Sequence, residues 1–339
     1  MKLLDETAKG VFVVSTTPFA DDGALDFDSL DRQIDFYLAC GIDGMSILGL
    51  VGEASMLSLD ESLAVCQRVL KRTAGRVPVI ANVARPDMAA LKRLAETAME
   101  FGAAGVMIAP GGRAGTDEQV AADMHAVLAA LAPIPVVLLA APQSSAARMP
   151  TQLINRLISE FSHLKMLKHE DWPGLRKLSD LRAAEARGER RRISILSGNK
   201  GMLLPMELAR GADGVITGTA YPEALVAMYD RFVAHDVEGA EDIYDALLPL
   251  MRYEAQPGAG LVIRKCVLQR RGITQSAAVR IRRSPVGTQE IREIVSLMAR
   301  VERNLRRLGI DPVLGHAGPS APRLSQSSRP TVVETIPST

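Results

Sequence analysis

The chain has 339 residues, long for one ordinary domain yet suited to a single α/β barrel of roughly 250 residues with extensions. Its 40 Lys and Arg against 39 Asp and Glu leave a net charge of +1, and aromatic residues make up only 4%. Near neutrality argues against nucleic acid or an anionic membrane surface as a partner, and the scarcity of aromatics removes the stacking platforms of single-strand binders.

Residues 1–10 mix charges without a long apolar run, and no stretch approaches the roughly 18 uninterrupted apolar residues of a membrane span. The expectation is a cytoplasmic, unexported protein with a small-molecule partner. From there, short β-branched or aliphatic runs alternate with amphipathic ones. Strands are predicted at 11–15, 44–48, 77–83, 105–109, 135–140, 163–169, 193–197 and 214–217. Helical periodicity fills 27–40, 58–73, 87–102, 117–131, 151–160, 174–187, 201–210 and 222–234, several of these opened by Ser, Thr or Asp caps. Eight such units in series predict an α/β fold, a closed (β/α)8 TIM barrel rather than an open doubly wound sheet.

The phrases Ala39-Cys-Gly-Ile-Asp-Gly44, Phe101-Gly-Ala-Ala-Gly105 and Ala209-Arg-Gly-Ala-Asp-Gly214 punctuate that barrel, each ending a helix on a glycine that takes the left-handed cap conformation without a Cβ clash. Further helical patterns at 237–251, 259–271 and 288–309 predict a C-terminal helical extension. The expected organisation is a catalytic barrel over 1–235, a helical bundle over 236–312 and a disordered, Ser- and Pro-rich tail over 313–339. Cys40, Cys66 and Cys266 lie far apart in apolar helical patterns, which predicts reduced, buried thiols and no metal site. No dinucleotide or Walker-type phosphate loop stands between a strand and a helix, and no cofactor is expected.

In a barrel of this kind chemistry belongs at the carboxyl ends of the strands. Lys168, in His163-Leu-Lys-Met-Leu-Lys-His-Glu170, sits at such an end. An apolar strand desolvates an ammonium and favours the neutral amine, which attacks a ketone to give a Schiff base. The plainer reading is a lysine that snorkels or pairs with Glu170 or Asp171. Alternation places His169 on the face opposite Lys168, behind the barrel wall, and Glu170 on the same face as Lys168. Gly49-Leu-Val-Gly-Glu53 follows strand two, where glycines let backbone amides approach an anion and Glu53 reaches neighbouring loops. Thr16-Thr17-Pro18, Ser197-Gly-Asn-Lys200 and Thr217-Gly-Thr-Ala-Tyr221 bring further polar groups to the rim, each by itself as readily a turn as a site.

Taken in order, Thr17-Pro18, Gly49-x-x-Gly-Glu53, Gly75-Arg-Val-Pro-Val-Ile80, Pro142, Lys168, Ser197-Gly198 and Gly214-Val-Ile216 resemble the family of dihydrodipicolinate synthases and N-acetylneuraminate lyases, class I aldolase-type barrels, over about residues 10–300. The resemblance implies that Lys168 holds a 2-oxo acid, often pyruvate, as an imine, with the substrate carboxylate on Gly49, Leu50, Val51, Gly52 and Glu53. Thr17, Leu139, Ser197, Gly198 and Ile216 would complete the substrate-binding set. It also implies a homotetramer, with a homodimer as the alternative.

The departures from that family are specific. Its strand-five tyrosine falls on Leu139, the two threonines of its Gly-Thr-Thr-Gly-Glu phrase fall on Leu50 and Val51, the tyrosine lent across an interface falls on Gly112, and its second-substrate arginine falls on Ser144. Such general acid–base help is worth about 10²–10⁴ in rate. The expected activity is therefore a Schiff-base lyase, a dehydratase or aldolase acting on a 2-keto-3-deoxy sugar acid or a pyruvate adduct. Tyr253-Glu-Ala-Gln-Pro-Gly-Ala-Gly260 and Ile263-Arg-Lys-Cys-Val267 look like the corresponding segments of 2-keto-3-deoxyarabonate dehydratases. The alternatives are 4-hydroxy-tetrahydrodipicolinate synthase itself and an oxo-acid-binding protein with reduced catalysis. For the missing tyrosine, His169, Glu170, Arg113, Tyr221 and a water are the candidate proton carriers.

Overall fold

A computed structural model describes residues 2–85, 87–111, 116–145, 147–281 and 286–313, without the side chains of 144 and 145. Eight parallel strands close into one barrel: β1 (Gly10–Val14), β2 (Gly44–Ile47), β3 (Val79–Asn82), β4 (Gly105–Ile108), β5 (Val136–Ala140), β6 (Leu164–His169), β7 (Ser194–Ser197) and β8 (Gly214–Thr217). β8 returns to β1 with Phe12 opposite Ile216. Between strands run α1 (Phe27–Ala39), α2 (Leu59–Thr73), α3 (Met88–Glu100), α4 (Asp117–Leu131), a short α5 (Pro142–Ser145), α6 (Thr151–Glu160), α7 (Leu175–Ala186), α8 (Leu204–Ala209) and α9 (Pro222–Val233). The predicted (β/α)8 architecture is the one observed. Ser58 and Thr116 open α2 and α4 with complete capping boxes, as the cap residues anticipated.

Two boundaries moved for physical reasons. The third strand begins at Val79 rather than 77, since Pro78 has no N–H to give a ladder. The helix expected over 201–210 is α8 alone, because Asn199, Lys200 and Gly201 all take positive φ and Pro205 sits in its first turn.

Strand alternation separates two apolar layers. Inward residues Phe12, Ile80, Met107, Val137, Met166, Leu196 and Ile216 fill the barrel, with Leu4 and Ala8 packed against them, while Val11, Ile47, Val106, Leu138, Leu167 and Ile195 pack outward on the helices. Gly44 is what lets Phe12 into the centre, since a Cβ there would stand 2.1 Å from its ring.

Three more helices follow, α10 (Val237–Glu254), α11 (Gly260–Arg270) and α12 (Thr288–Arg307); α10 packs on α9, α11 and α12. Between α11 and α12 the stretch 275–281 straps back over the loops after β1 and β2. The Gln275 amide donates to Ser29, Ser276 to Asp21, and the Arg280 guanidinium to the Gly23 carbonyl and to the Glu61 carboxylate. Among the described residues no helix is long and apolar enough to cross a membrane.

Candidate active site

On β6, Met166 and Lys168 point into the barrel while Leu167 and His169 point out. Lys168 is 8% exposed and lies in register between Leu139 of β5 and Leu196 of β7, at the carboxyl end of the strand. Its Nζ is 3.0 Å from Oε1 of Glu170. The Glu170 carboxylate lies over Gly198, where a Cβ would stand 2.3 Å from that same oxygen. Gly218 repeats the device one strand on, since a Cβ there would stand 2.3 Å from Nη1 of Arg264. These glycines come two residues after the inward-facing Leu196 and Ile216, so the rim of β7 and β8 is kept bare to admit a carboxylate and a guanidinium.

Arg264 descends from α11 and is nearly buried. Its Nε and Nη2 donate to Oε2 of Glu254 at 3.1 and 2.9 Å, while Nη1 donates to no group among the described residues. Burial pushes the Glu254 carboxyl up, and Arg264 pulls against that rise. Lys200 stands nearby, its Nζ donating one long bond, 3.4 Å, to the Ala255 carbonyl. Burial and Arg264 push its ammonium down, whereas Glu254 and Glu170 pull it up. Lys200 was expected at the rim within Ser197-Gly-Asn-Lys200, whereas Arg264 and Glu254 were not assigned to the site. The signal available was an Arg-Lys pair inside the otherwise apolar helix that opens at Gly260.

The loop after β2 supplies the other side of the mouth. Within it the Gly52 and Ala54 amides donate to the Gly49 carbonyl, and the Glu53 amide donates to that of Leu50. The amides of Leu50 and Val51 are left with no acceptor among the described residues, and Val51 packs against the inner apolar layer. Leu48 and Glu53 hold φ of 59° and 52°, a strained conformation for side-chain-bearing residues. Thr17 and Glu53 maintain it. Thr17 Oγ1 donates to the Gly52 carbonyl at 2.7 Å. The wholly buried Glu53 accepts from Lys265 Nζ at 2.6 Å and from the Arg280 and Ile281 amides at 2.7 and 2.9 Å. Both were expected to bind substrate; their polar atoms are instead spent on bracing the loop.

Ser197 also departs from expectation. It shares the outward face of β7 with Ile195, so its hydroxyl lies behind the barrel wall, near Glu207 of α8. Ser197 Oγ and Glu207 Oε2 are both buried, and neither completes a well-formed hydrogen bond. Burial pushes Glu207 up to about 7, with the Ser197 hydroxyl opposing the rise and the charge of Glu170 adding to it. A carboxyl that keeps its proton to pH 7 when folded, against an ordinary value of 4.5, makes stability fall as the pH rises between those values and stay low above them. Glu207→Gln is therefore expected to raise unfolding free energy at pH 8 by up to about 3 kcal/mol and to leave it unchanged at pH 4. Denaturant titrations at the two pH values check this; an equal gain at both would refute it.

The remaining candidates sort by direction. Ile216 is buried on the inner face beneath the rim, and Leu139 presents an aliphatic wall beside Lys168. His169 is fully buried, its Nε2 3.0 Å from the Gly174 carbonyl oxygen, and burial pushes its imidazole down. Tyr221 donates its hydroxyl to Glu302 and lies 4.1 Å under the Arg271 guanidinium. Neither faces the mouth as a proton carrier. Gly112 and Arg113 lie outside the described residues, as does the Ser144 side chain.

A sequence model of the dihydrodipicolinate synthetase family matches residues 7–303. The chain belongs to that family. It is 31% identical over 307 residues to the 4-hydroxy-tetrahydrodipicolinate synthase of Sorangium cellulosum, covering 86% of this chain and 96% of the relative. To the L-2-keto-3-deoxyarabonate dehydratase of Azospirillum brasilense it is 28% identical over 275 residues, covering 79% and 86%. The crystal structure of dihydrodipicolinate synthase from Rhodopseudomonas palustris superposes with a TM-score of 0.86 at 40% identity, over 88% of this chain and all of that one. Members of the dihydrodipicolinate synthetase family are lyases working through class I aldolase-type chemistry, and this chain is such a lyase. Leu139, Leu50 and Val51 themselves offer no hydroxyl at this mouth.

Proposed function

We propose that Lys168 forms an imine with the C2 carbonyl of a single 2-oxo acid and that Glu170 carries the proton in the dehydration or aldol cleavage that follows. The observation carrying this is the 3.0 Å approach of Glu170 to Lys168 Nζ, on the inner face beside the aliphatic Leu139. The free Leu50 and Val51 amides are placed to receive the substrate carboxylate, as paired backbone N–H groups do for anions elsewhere. Glu170 first takes the proton the ammonium must lose before nitrogen attacks the ketone, and water leaves to give the iminium.

The iminium then draws electrons from C3. In dehydration Glu170 removes a C3 proton, the enamine expels the C4 hydroxyl, and Glu170 returns its proton so that the leaving group departs as water. In cleavage Glu170 instead takes the C4 hydroxyl proton as the C3–C4 bond breaks to release an aldehyde, and then returns that proton to C3 of the enamine to restore the iminium. Hydrolysis of the imine frees Lys168 in both. Leu139, Leu50 and Val51 carry no hydroxyl relay, so the proton transfers of either reaction fall to Glu170. The dehydratase named among the relatives supports the same reading, and a 2-keto-3-deoxy acid with a C4 hydroxyl is the substrate class it suggests.

Borohydride reduction with pyruvate or a 2-keto-3-deoxy acid is expected to add the ligand mass at Lys168, read by peptide mass spectrometry; no adduct with any 2-oxo acid would sink the proposal. Glu170→Gln is expected to lower kcat by about 10²–10⁴ while trapping at Lys168 persists. A variant within threefold of the parent at every pH would remove Glu170 from the reaction.

A further inference from the structure

The Arg264, Glu254 and Lys200 group has no role in the imine chemistry, yet it is built into the same mouth. The position of a Gly218 Cβ would lie 2.3 Å from Arg264 Nη1 and 3.3 Å from the Val14 carbonyl oxygen, and both Gly218 and Val14 border the barrel interior. Nη1 therefore lies at the barrel mouth, over the carboxyl ends of β1 and β8, while Nε and Nη2 are fixed by Glu254. Lys200 adds a second cation that forms no ion pair among the described residues and spends one long bond on a carbonyl. Two cations against one carboxylate leave the group with an excess positive charge. Guanidinium and ammonium only donate hydrogen bonds, and an acidic oxygen satisfies both requirements at once.

Lys200 is held there at a cost in backbone strain. It is the middle of three successive residues with positive φ, 47°, 61° and 74° for Asn199, Lys200 and Gly201, and such strain gathers where a side chain must be aimed. The turn begins at Gly198, on which Glu170 rests. Reacting pair and cation pair thus occupy neighbouring strand ends, β6 with β7 and β7 with β8.

We propose that Arg264, steadied by Glu254 and joined by Lys200, is the specificity-determining group of this mouth and receives the second, distal carboxylate of a dicarboxylic 2-oxo acid whose C2 is joined to Lys168. This rests on the imine reading above. Selection follows from desolvation: a neutral tail leaves the excess charge uncompensated in a nearly buried setting, whereas a carboxylate pairs with it.

The test is the concentration for half-maximal borohydride trapping at Lys168, compared across 2-oxoglutarate, 2-oxoadipate, their neutral counterparts 2-oxopentanoate and 2-oxohexanoate, and 5-hydroxy-2-oxopentanoate. At least one diacid is expected to trap at a concentration about tenfold or more below its neutral counterpart. Arg264→Gln is expected to bring that ratio close to one. Lys200→Gln, which strands no buried carboxylate, is expected to cut it severalfold and carries the test if Arg264→Gln does not fold. Equal trapping of diacids and neutral acids, preference for the hydroxyl compound, or a ratio unchanged in the folded variants would each overturn the assignment. Absence of any adduct in the parent protein would instead sink the imine reading and this one with it.

Discussion

Lys168→Met is expected to abolish turnover, with kcat falling at least about 10⁴-fold, the scale seen when an enzyme loses its nucleophile. The size follows from chemistry rather than packing. Methionine keeps the length and the buried stem of a residue that is only 8% exposed, so the barrel should fold as before. What it removes is the one nitrogen at the inner rim of β6, and without the iminium there is no electron sink for a C3 carbanion. Glu170 loses its partner but is itself partly open to solvent, so no buried charge is stranded. Steady-state turnover and borohydride trapping read the effect, with melting temperature as the control on folding. A folded variant that still turns over at a tenth of the parental rate would remove Lys168 from the chemistry.

Glu53→Leu is expected to destabilise the protein by about 3–5 kcal/mol, among the largest single-residue effects in the molecule. Glu53 is fully buried, and its two oxygens serve Lys265 Nζ and the Arg280 and Ile281 amides. Removing the carboxylate leaves a buried ammonium with the Ala278 carbonyl and the Phe19 ring, and strips the Arg280 and Ile281 amides of their acceptor. The melting temperature should fall by on the order of 10 °C. Adding Lys265→Met should recover part of the loss, because both members of the buried pair are then gone. A single variant as stable as the parent, or a double variant no better than the single, would contradict this account. The same change loosens the strained 49–53 loop, so KM for the oxo acid should rise more than kcat falls.

How much of this was legible beforehand depends on the distance over which each signal acts. Strand runs and glycine-capped helices are local, and they placed the eight units within a few residues. Alternation along β6 put Lys168 and Glu170 on one face and His169 on the other, and the structure agrees. The same rule counted back from Leu196 would have turned Ser197 outward; reading Ser197 as a rim group by its phrase alone overlooked that parity. Glu53 was expected both to reach neighbouring loops and to lie at the substrate carboxylate; it does the first, and its partner stayed hidden because Lys265 is 212 residues away. Arg264 stood in the Ile263-Arg-Lys phrase, but only closure of the barrel brings that helix over Gly218.

By itself the sequence determined the barrel, the in-facing lysine with a carboxylate two residues on, and the loss of the hydroxyls that surround such a lysine in the resembling family. These follow from periodicity and residue chemistry, which act over one strand or one turn. Only the tertiary structure decided what each remaining polar group does: that Thr17 and Glu53 brace, that Ser197 and Glu207 lie behind the wall, and that Arg264 and Lys200 meet at the mouth. The physical reason is that a buried charge or donor is defined by its partner, and in a closed barrel with a returning C-terminal strap those partners come from the far ends of the chain.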